Sequence, residues 1–170
     1  MINYRFKVLI LSTLILMLGG CGIYSFSGAS IPAEAKTIYI GYFENEAELI
    51  EPTLSQTLTD ELKNRFSSQT QLNITTAEGD LQITGVISDY KTEPQAIQGD
   101  QTAALNRLTI SVKLNFVNVY DPSKNFESST ITRYEDYPSS QSLVAVQESL
   151  IPVIVEALVD DIFNATVVNW

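Results

Sequence analysis

The strict alternation between residues 108 and 116 limits the possible folds more than any other part of the sequence. Apolar side chains at Leu108, Ile110, Val112, Leu114 and Phe116 are separated by single polar residues. Such a two-residue period predicts a β-strand with one apolar and one polar face. An apolar sheet face needs a covering layer, so the rest of the chain must supply helices or a second sheet.

A leucine stripe upstream supplies that layer. Leu54, Leu58, Leu62 and Phe66 recur every fourth residue, which predicts a helix of about four turns with one apolar face. The acidic run that ends at Glu51, followed by Pro52, favours a helix start at this point. We therefore expect this helix to lie on the sheet.

The remaining patterns complete an α+β fold. They predict strands at residues 37–43, 72–76, 81–90 and 126–137, and a last helix that begins after Pro138-Ser139-Ser140 and ends near Asn164. Pro152 is expected to kink or split this helix. The predicted fold class is α+β, a two-layer sandwich with two helices packed on one face of a four- to five-stranded, mostly antiparallel sheet.

The sequence also predicts a long loop and an irregular end of the alternating strand. Residues 91–106 are too long for a tight hairpin turn and are a candidate functional loop. Val117 and Val119 lie on the formerly polar side of the strand, which indicates a bulge, a twist or a sheet end covered on both faces.

The N-terminus has the order of a bacterial lipoprotein leader. Basic Arg5 and Lys7 precede an apolar run over residues 8–18, which ends in Leu18-Gly19-Gly20-Cys21. Eleven residues rise by only about 16 Å as a helix, against a hydrocarbon core of about 30 Å, so the run is too short to span. We expect cleavage between Gly20 and Cys21 and lipidation of Cys21. The alternative is an unmodified, buried thiol after an ordinary secretory leader.

These signals divide the chain into three parts. Residues 1–20 are a lipoprotein signal peptide, residues 21–36 a lipidated tether, and residues 37–170 a single α+β domain. Gly22 follows the cysteine where an inner-membrane retention signal has Asp, so the outer membrane is the expected location. The domain would then face the periplasm.

Composition excludes several functions. Cleavage leaves eight of the ten basic residues against 20 acidic ones, a net charge of −12, which argues against a nucleic-acid partner. The chain has no histidine and one cysteine, so the usual general base, disulfides and the usual zinc ligands are missing. The neighbouring acids Glu135-Asp136 and Asp160-Asp161 diverge on a strand or a helix. We predict no catalytic residues, no metal, no cofactor and no enzyme activity.

Several segments in order resemble a known family. They are the lipobox with Cys21-Gly22-Ile23-Tyr24, TIYIGYF, the leucine-striped helix, DLQITGVISDYKTEP, LTISVKLNFVNVYD, ITRYEDYP and DDIFNATVVNW. Together they cover nearly all of the mature chain. In this order they resemble the LPS-assembly lipoprotein family LptE in its shorter, Bacteroidetes-like form.

The resemblance implies a non-catalytic outer-membrane protein. Such a protein would plug the lumen of the β-barrel LptD, help the barrel to assemble and assist lipopolysaccharide transport. The polar strand faces at residues 109–115 and 128–132 suit a polar lumen, and they equally suit ordinary solvent exposure. Basic residues would contact lipopolysaccharide, and the candidates are Lys91, Arg107, Lys113 and Arg133, which converge if the strands pair in sequence order. The alternative for these four is solvated surface charge.

Two other functions stay open from sequence. The first is a periplasmic adaptor lipoprotein that regulates an envelope enzyme or binds peptidoglycan. The second is a glycan hydrolase, which is the weaker because no convergent acid–base pair is present.

Overall fold

The computed structural model describes residues 31–95 and 104–168. The leader, the lipobox, Cys21, most of the tether and the centre of the 91–106 connection therefore lie outside the described residues. The strands are β1 (Thr37–Ile40), β2 (Glu44–Asn45), β3 (Asn73–Thr75), β4 (Leu81–Gln95), β5 (Leu105–Asn118) and β6 (Phe126–Pro138). The helices are α1 (Leu54–Gln69) and α2 (Leu143–Val167). A short 3₁₀ turn spans Pro122–Lys124.

The strands form one sheet in the order β3-β1-β4-β5-β6, with the two-residue β2 also pairing with β4. The long β4–β5 and β5–β6 ladders are antiparallel, as predicted. The β1–β3, β1–β4 and β2–β4 pairs are parallel, so the sheet is mixed. Parallel pairing of β1 with β3 follows from the helix between them, since a helical crossover returns the chain in the same direction.

The core lies between one face of this sheet and the two helices. The predicted stripe of Leu54, Leu58, Leu62 and Phe66 is fully buried, as are the five alternating residues of β5 apart from a trace of exposure at Phe116. The Phe66 and Phe163 rings meet between the helices with their centroids 5.0 Å apart. The two-layer α+β prediction is confirmed.

Helix α2 differs from its prediction at the start and in the middle. It begins at Leu143 with Ser142 as N-cap, because Pro138 is still part of β6. Pro152 lies inside it without dividing it into two helices. The proline removes only one backbone hydrogen bond, and the buried Ile151, Ile154 and Val155 hold both sides of it against the core.

Two strand boundaries also differ. The first strand ends at Ile40 rather than Phe43, because the chain leaves the ladder and turns the Phe43 ring into the core. There the Phe43 amide donates to the hydroxyl of Thr59 on α1 at 3.1 Å. The 91–106 connection is shorter than expected, since β4 continues to Gln95 and β5 starts at Leu105. Among the described helices, none is long and apolar enough to cross a membrane.

Candidate functional site: the open face of the sheet

The helices cover one face of the sheet, and within the described residues no element packs on the other. We call this second surface the open face. The β4–β5–β6 register places alternate residues of the three strands on it. Those residues include Asp89, Lys91, Glu93, Arg107, Thr109, Ser111, Lys113, Asn115, Thr130, Thr132, Tyr134 and Asp136.

Hydroxyl and amide groups dominate the centre of the open face. The Ser111 hydroxyl lies 2.9 Å from that of Thr132 on the neighbouring strand. The Asn115 side-chain oxygen accepts the Ser128 amide at 2.8 Å. Ser128 has a φ of 56°, and the β5–β6 register shifts beside it, so a bulge forms here. The bulge belongs to β6, and β5 itself keeps its alternation through Asn118, so the predicted change after Phe116 does not occur in this strand. Val117 and Val119 are exposed rather than covered.

Arg107 is held firmly at one end of the open face. Its guanidinium donates to both carboxylate oxygens of Asp136, at 2.7 and 2.9 Å, and lies 3.6 Å from the centroid of the Tyr134 ring. The hydrogen bond from Arg107 lowers the pKa of the Asp136 carboxyl. Arg107 is thus a paired and stacked cation, with part of its hydrogen-bonding capacity already used.

The two open-face lysines differ in their surroundings. Lys91 lies between the carboxylates of Asp89 and Glu93, at 3.4 and 3.7 Å. Lys113 is exposed in the middle of β5, opposite Val86 and Thr130. No carboxylate of the described residues forms an ion pair with Lys113.

The expected convergence of four basic residues is wrong in one respect. Lys91, Arg107 and Lys113 share the open face, but Arg133 pairs with the core residue Ile110 and lies on the helix-covered face. There its guanidinium binds Asp161 of α2 at 2.6 to 2.7 Å. The sequence could not show on which face of the sheet each basic residue lies, because a shift of the strand register by one residue moves a side chain to the opposite face.

The paired carboxylates diverge as predicted. Asp160 binds Arg65 of α1, whereas Asp161 binds Arg133 of β6. Asp136 lies on the open face, and Glu135 lies on the covered one. Within the described ranges, no group of three acidic side chains is arranged to hold a metal ion.

Asp80, which is not among the residues predicted from the sequence, ties the start of the domain to the sheet. Its carboxylate accepts the Lys36 amide at 2.8 Å and the Thr37 amide and hydroxyl at 3.0 and 2.8 Å. These hydrogen bonds, led by the one from Lys36, lower the pKa of Asp80. The preceding Gly79 has no room for a Cβ, which would lie 2.8 Å from the Tyr39 nitrogen. The Gly79-Asp80 pair directly before a strand was the sequence signal that could have identified this position.

Comparison with known proteins gives one family match. The model of a family described as LptE, lipopolysaccharide-assembly, matches residues 35–166. No curated protein matches the chain.

Solved structures from two other bacteria resemble parts of the fold. A minor lipoprotein from Acinetobacter baumannii is 15% identical over 76% of this chain and 91% of its own, with a TM-score of 0.45. An uncharacterized lipoprotein B from Nitrosomonas europaea is 17% identical over 78% of this chain and 81% of its own, with a TM-score of 0.48.

Proposed function

The chain belongs to the LptE family of lipopolysaccharide-assembly proteins, and from this premise we propose that it plugs an LptD-type outer-membrane barrel and helps it to assemble and to export lipopolysaccharide. The role is structural and non-enzymatic. The family premise supports lipopolysaccharide assembly in general and an association with the outer membrane. The barrel partner and the plug geometry are the specific part of the proposal.

The open face is the observation that supports the proposed role as a plug. The lumen of a wide membrane barrel is polar, and a protein that fills it needs a rigid surface with many hydrogen-bonding groups. Thr109 of β5 and Thr130 and Thr132 of β6 present such groups from adjacent strands, and the buried Ser111 bonds to the Thr132 hydroxyl. A sheet whose other face is covered by two helices holds them in fixed positions.

Attachment at the membrane follows from the lipobox. We propose that Cys21 carries the lipid, with nine residues between it and Ile31. Each buried methylene adds about 0.8 kcal/mol of membrane affinity, so several acyl chains give lasting attachment. The hydrogen bonds of Asp80 to Lys36 and Thr37 then fix the point where the tether joins the folded domain.

Lipopolysaccharide contact is proposed for the basic residues of the open face. Lys113 is the leading candidate because it is exposed and lacks a carboxylate partner among the described residues. Lys91 and Arg107 would join it after exchanging part of their contacts with Asp89, Glu93 and Asp136. Arg133 faces the helices and would not contribute to the same patch.

The first experiment is a mild-detergent affinity purification of the tagged, lipidated protein from its own cells, with mass spectrometry of the bound proteins. We expect a large β-barrel at a one-to-one ratio. Recovery of the lipoprotein alone, or together with a soluble envelope enzyme, would contradict the plug and favour the adaptor function.

A matched pair of lysine variants tests the lipid contact. We expect Lys113→Gln to lower the lipopolysaccharide that co-purifies with the protein roughly tenfold, as loss of one charge-assisted hydrogen bond does. Lys63→Gln, on helix α1, is the control and should leave the amount unchanged. Equal retention by both variants would exclude Lys113 as a contact.

A further inference from the structure

The outer edge of β6 is an open strand edge. In the sheet order β3-β1-β4-β5-β6, strand β6 pairs with β5 on one side only. The opposite edge, β3, has three residues, whereas β6 has 13. A long edge strand with free backbone groups is a template for pairing with another extended chain.

The backbone groups that point outward are identified by the hydrogen-bond alternation. Ser139 donates its amide to the Ala104 carbonyl, in the same register as the β5–β6 ladder. In an antiparallel pair, every second residue of a strand forms its backbone hydrogen bonds with the neighbouring strand, and the residues between them direct their backbone groups to the other side. Thr130, Thr132, Tyr134 and Asp136 therefore direct their amides and carbonyls away from β5. Within the described residues, no other segment bonds to them there.

The outward-directed groups lie between residues 130 and 136, a stretch that we call the open window, and regular strand pairing is interrupted at both of its ends. Near its start, Ser128 with its positive φ and the adjoining register shift interrupt regular pairing. At its end, Pro138 occupies the next outward-directed position and has no amide to donate. The window between them is rich in threonine and tyrosine, which favour extended structure.

Helix α2 extends the apolar layer beyond this edge. Ile131 of β6 and Leu143, Val146 and Leu150 of α2 are only partly buried against the core. Leu143 and Leu150 lie on the same helical stripe as Asp161, which contacts Arg133 of β6, so this stripe faces the β6 flank. A seventh strand would cover these side chains with every second residue of its own.

Charge at the edge favours a basic partner. Glu135 lies on the helix-covered side of the window, is half-buried, and forms no ion pair with any described residue. Arg133 beside it is already bound to Asp161. A partly buried carboxylate without a counter-ion is best satisfied by a lysine or arginine from the incoming chain.

We propose that β6 pairs with an extended segment of the barrel partner, one that has apolar residues at alternate positions and a basic residue facing Glu135. This inference rests on the proposed function. The wall strands of a closed barrel have no free edge. The pairing segment therefore comes from a loop or a terminal arm of that partner, and it adds a seventh strand to this sheet.

Two substitutions at one position isolate the backbone contribution. Thr132→Pro removes an outward amide without breaking a bond to β5, and Thr132→Val removes the same side-chain hydroxyl but keeps the amide. The full lipidated protein is purified from its own cells, and the bound barrel is quantified. We expect Thr132→Pro to lower the retained barrel about fivefold or more, and Thr132→Val to stay within about twofold of the wild type.

A charge reversal gives a second measurement that does not depend on proline being tolerated. Glu135→Lys should lower the retained barrel by a similar factor, because it places like charges together. Glu127→Lys, also on β6 but outside the window, is the matched control. Thermal unfolding of each variant verifies that the fold is kept.

The outcomes separate the two proposals. If wild-type protein retains no barrel, the proposed function fails and this inference fails with it. If wild type, Thr132→Pro and Glu135→Lys all retain the barrel equally, only the inference is overturned. Reduced self-association of the two variants, with unchanged barrel binding, would identify a second copy of this chain as the occupant and overturn it as well.

Discussion

Tyr90 gives the fold a sensitivity to alkaline pH that can be measured. It lies on the helix-covered face of β4 and is 4% exposed, with its hydroxyl 3.5 Å from the side-chain oxygen of Gln147. Gln147 in turn donates to Glu51 at 2.9 Å. Burial, assisted by the negative charges of Glu51 and Tyr137, raises the pKa of Tyr90 from 10.0 to about 12.

The direction of the effect follows from linkage. The pKa of Tyr90 is higher in the folded state, so its contribution to stability is complete below pH 10 and is lost as the pH rises towards 12. A two-unit difference corresponds to roughly 2.7 kcal/mol in total. At pH 11, midway between the two pKa values, the loss is about 1.4 kcal/mol.

The test compares urea unfolding of wild type and Tyr90→Phe at pH 8 and pH 11. Phenylalanine keeps the ring in the core and removes the titrating hydroxyl. We expect the wild type to lose about 1.4 kcal/mol more than Tyr90→Phe between the two pH values. Tyr42→Phe, at a residue that is 55% exposed, is the control for a general effect of removing a hydroxyl. Equal losses for wild type and Tyr90→Phe would refute the argument from burial.

Two further predictions concern stability. Leu62→Ala leaves a cavity under the fully buried stripe of α1 and should lower the free energy of unfolding by about 2 to 5 kcal/mol in urea titrations; a loss below about 1 kcal/mol would contradict the packing described. Asp80 has a lowered folded pKa, so its contribution is present above the ordinary carboxyl range and is lost as the pH falls through the folded value. Asp80→Asn should therefore be less stable than wild type at pH 7, with the difference shrinking towards pH 2 in thermal unfolding, and a constant difference would refute the assignment.

The helices and long strands were predictable because their signals are local. Each residue of the stripe from Leu54 to Phe66 is separated from the next by four positions, and all four are buried. The alternation in β5 likewise fixes which side chains enter the core without knowledge of the partner strands. For each of these segments, only one type of secondary structure places the apolar side chains on a single buried face at their observed spacing.

The arrangement of charges on the sheet was not predictable, because it depends on register and on distant partners. Arg133 and Arg107 are both strand residues, yet the bulge at Ser128 and the β5–β6 register place them on opposite faces. Their partners, Asp161 and Asp136, lie 28 and 29 residues away in sequence. A one-residue slip would exchange the faces, so strand pattern alone leaves the binding face undetermined.

The helix layer and the open face of the sheet differ in charge. The two helices carry six acidic residues against Lys63 and Arg65, which makes their surface strongly negative. On the β4–β6 part of the open face, by contrast, the acids Asp89, Glu93 and Asp136 are matched by Lys91, Arg107 and Lys113. In the proposed function, the helix layer would repel an anionic glycolipid, and the other side would offer it a nearly neutral, hydroxyl-rich surface on which Lys113 has no carboxylate partner among the described residues. The overall acidity of the chain would then not oppose the proposed anionic ligand but would direct it to the open face, the surface that we propose lies against the polar lumen.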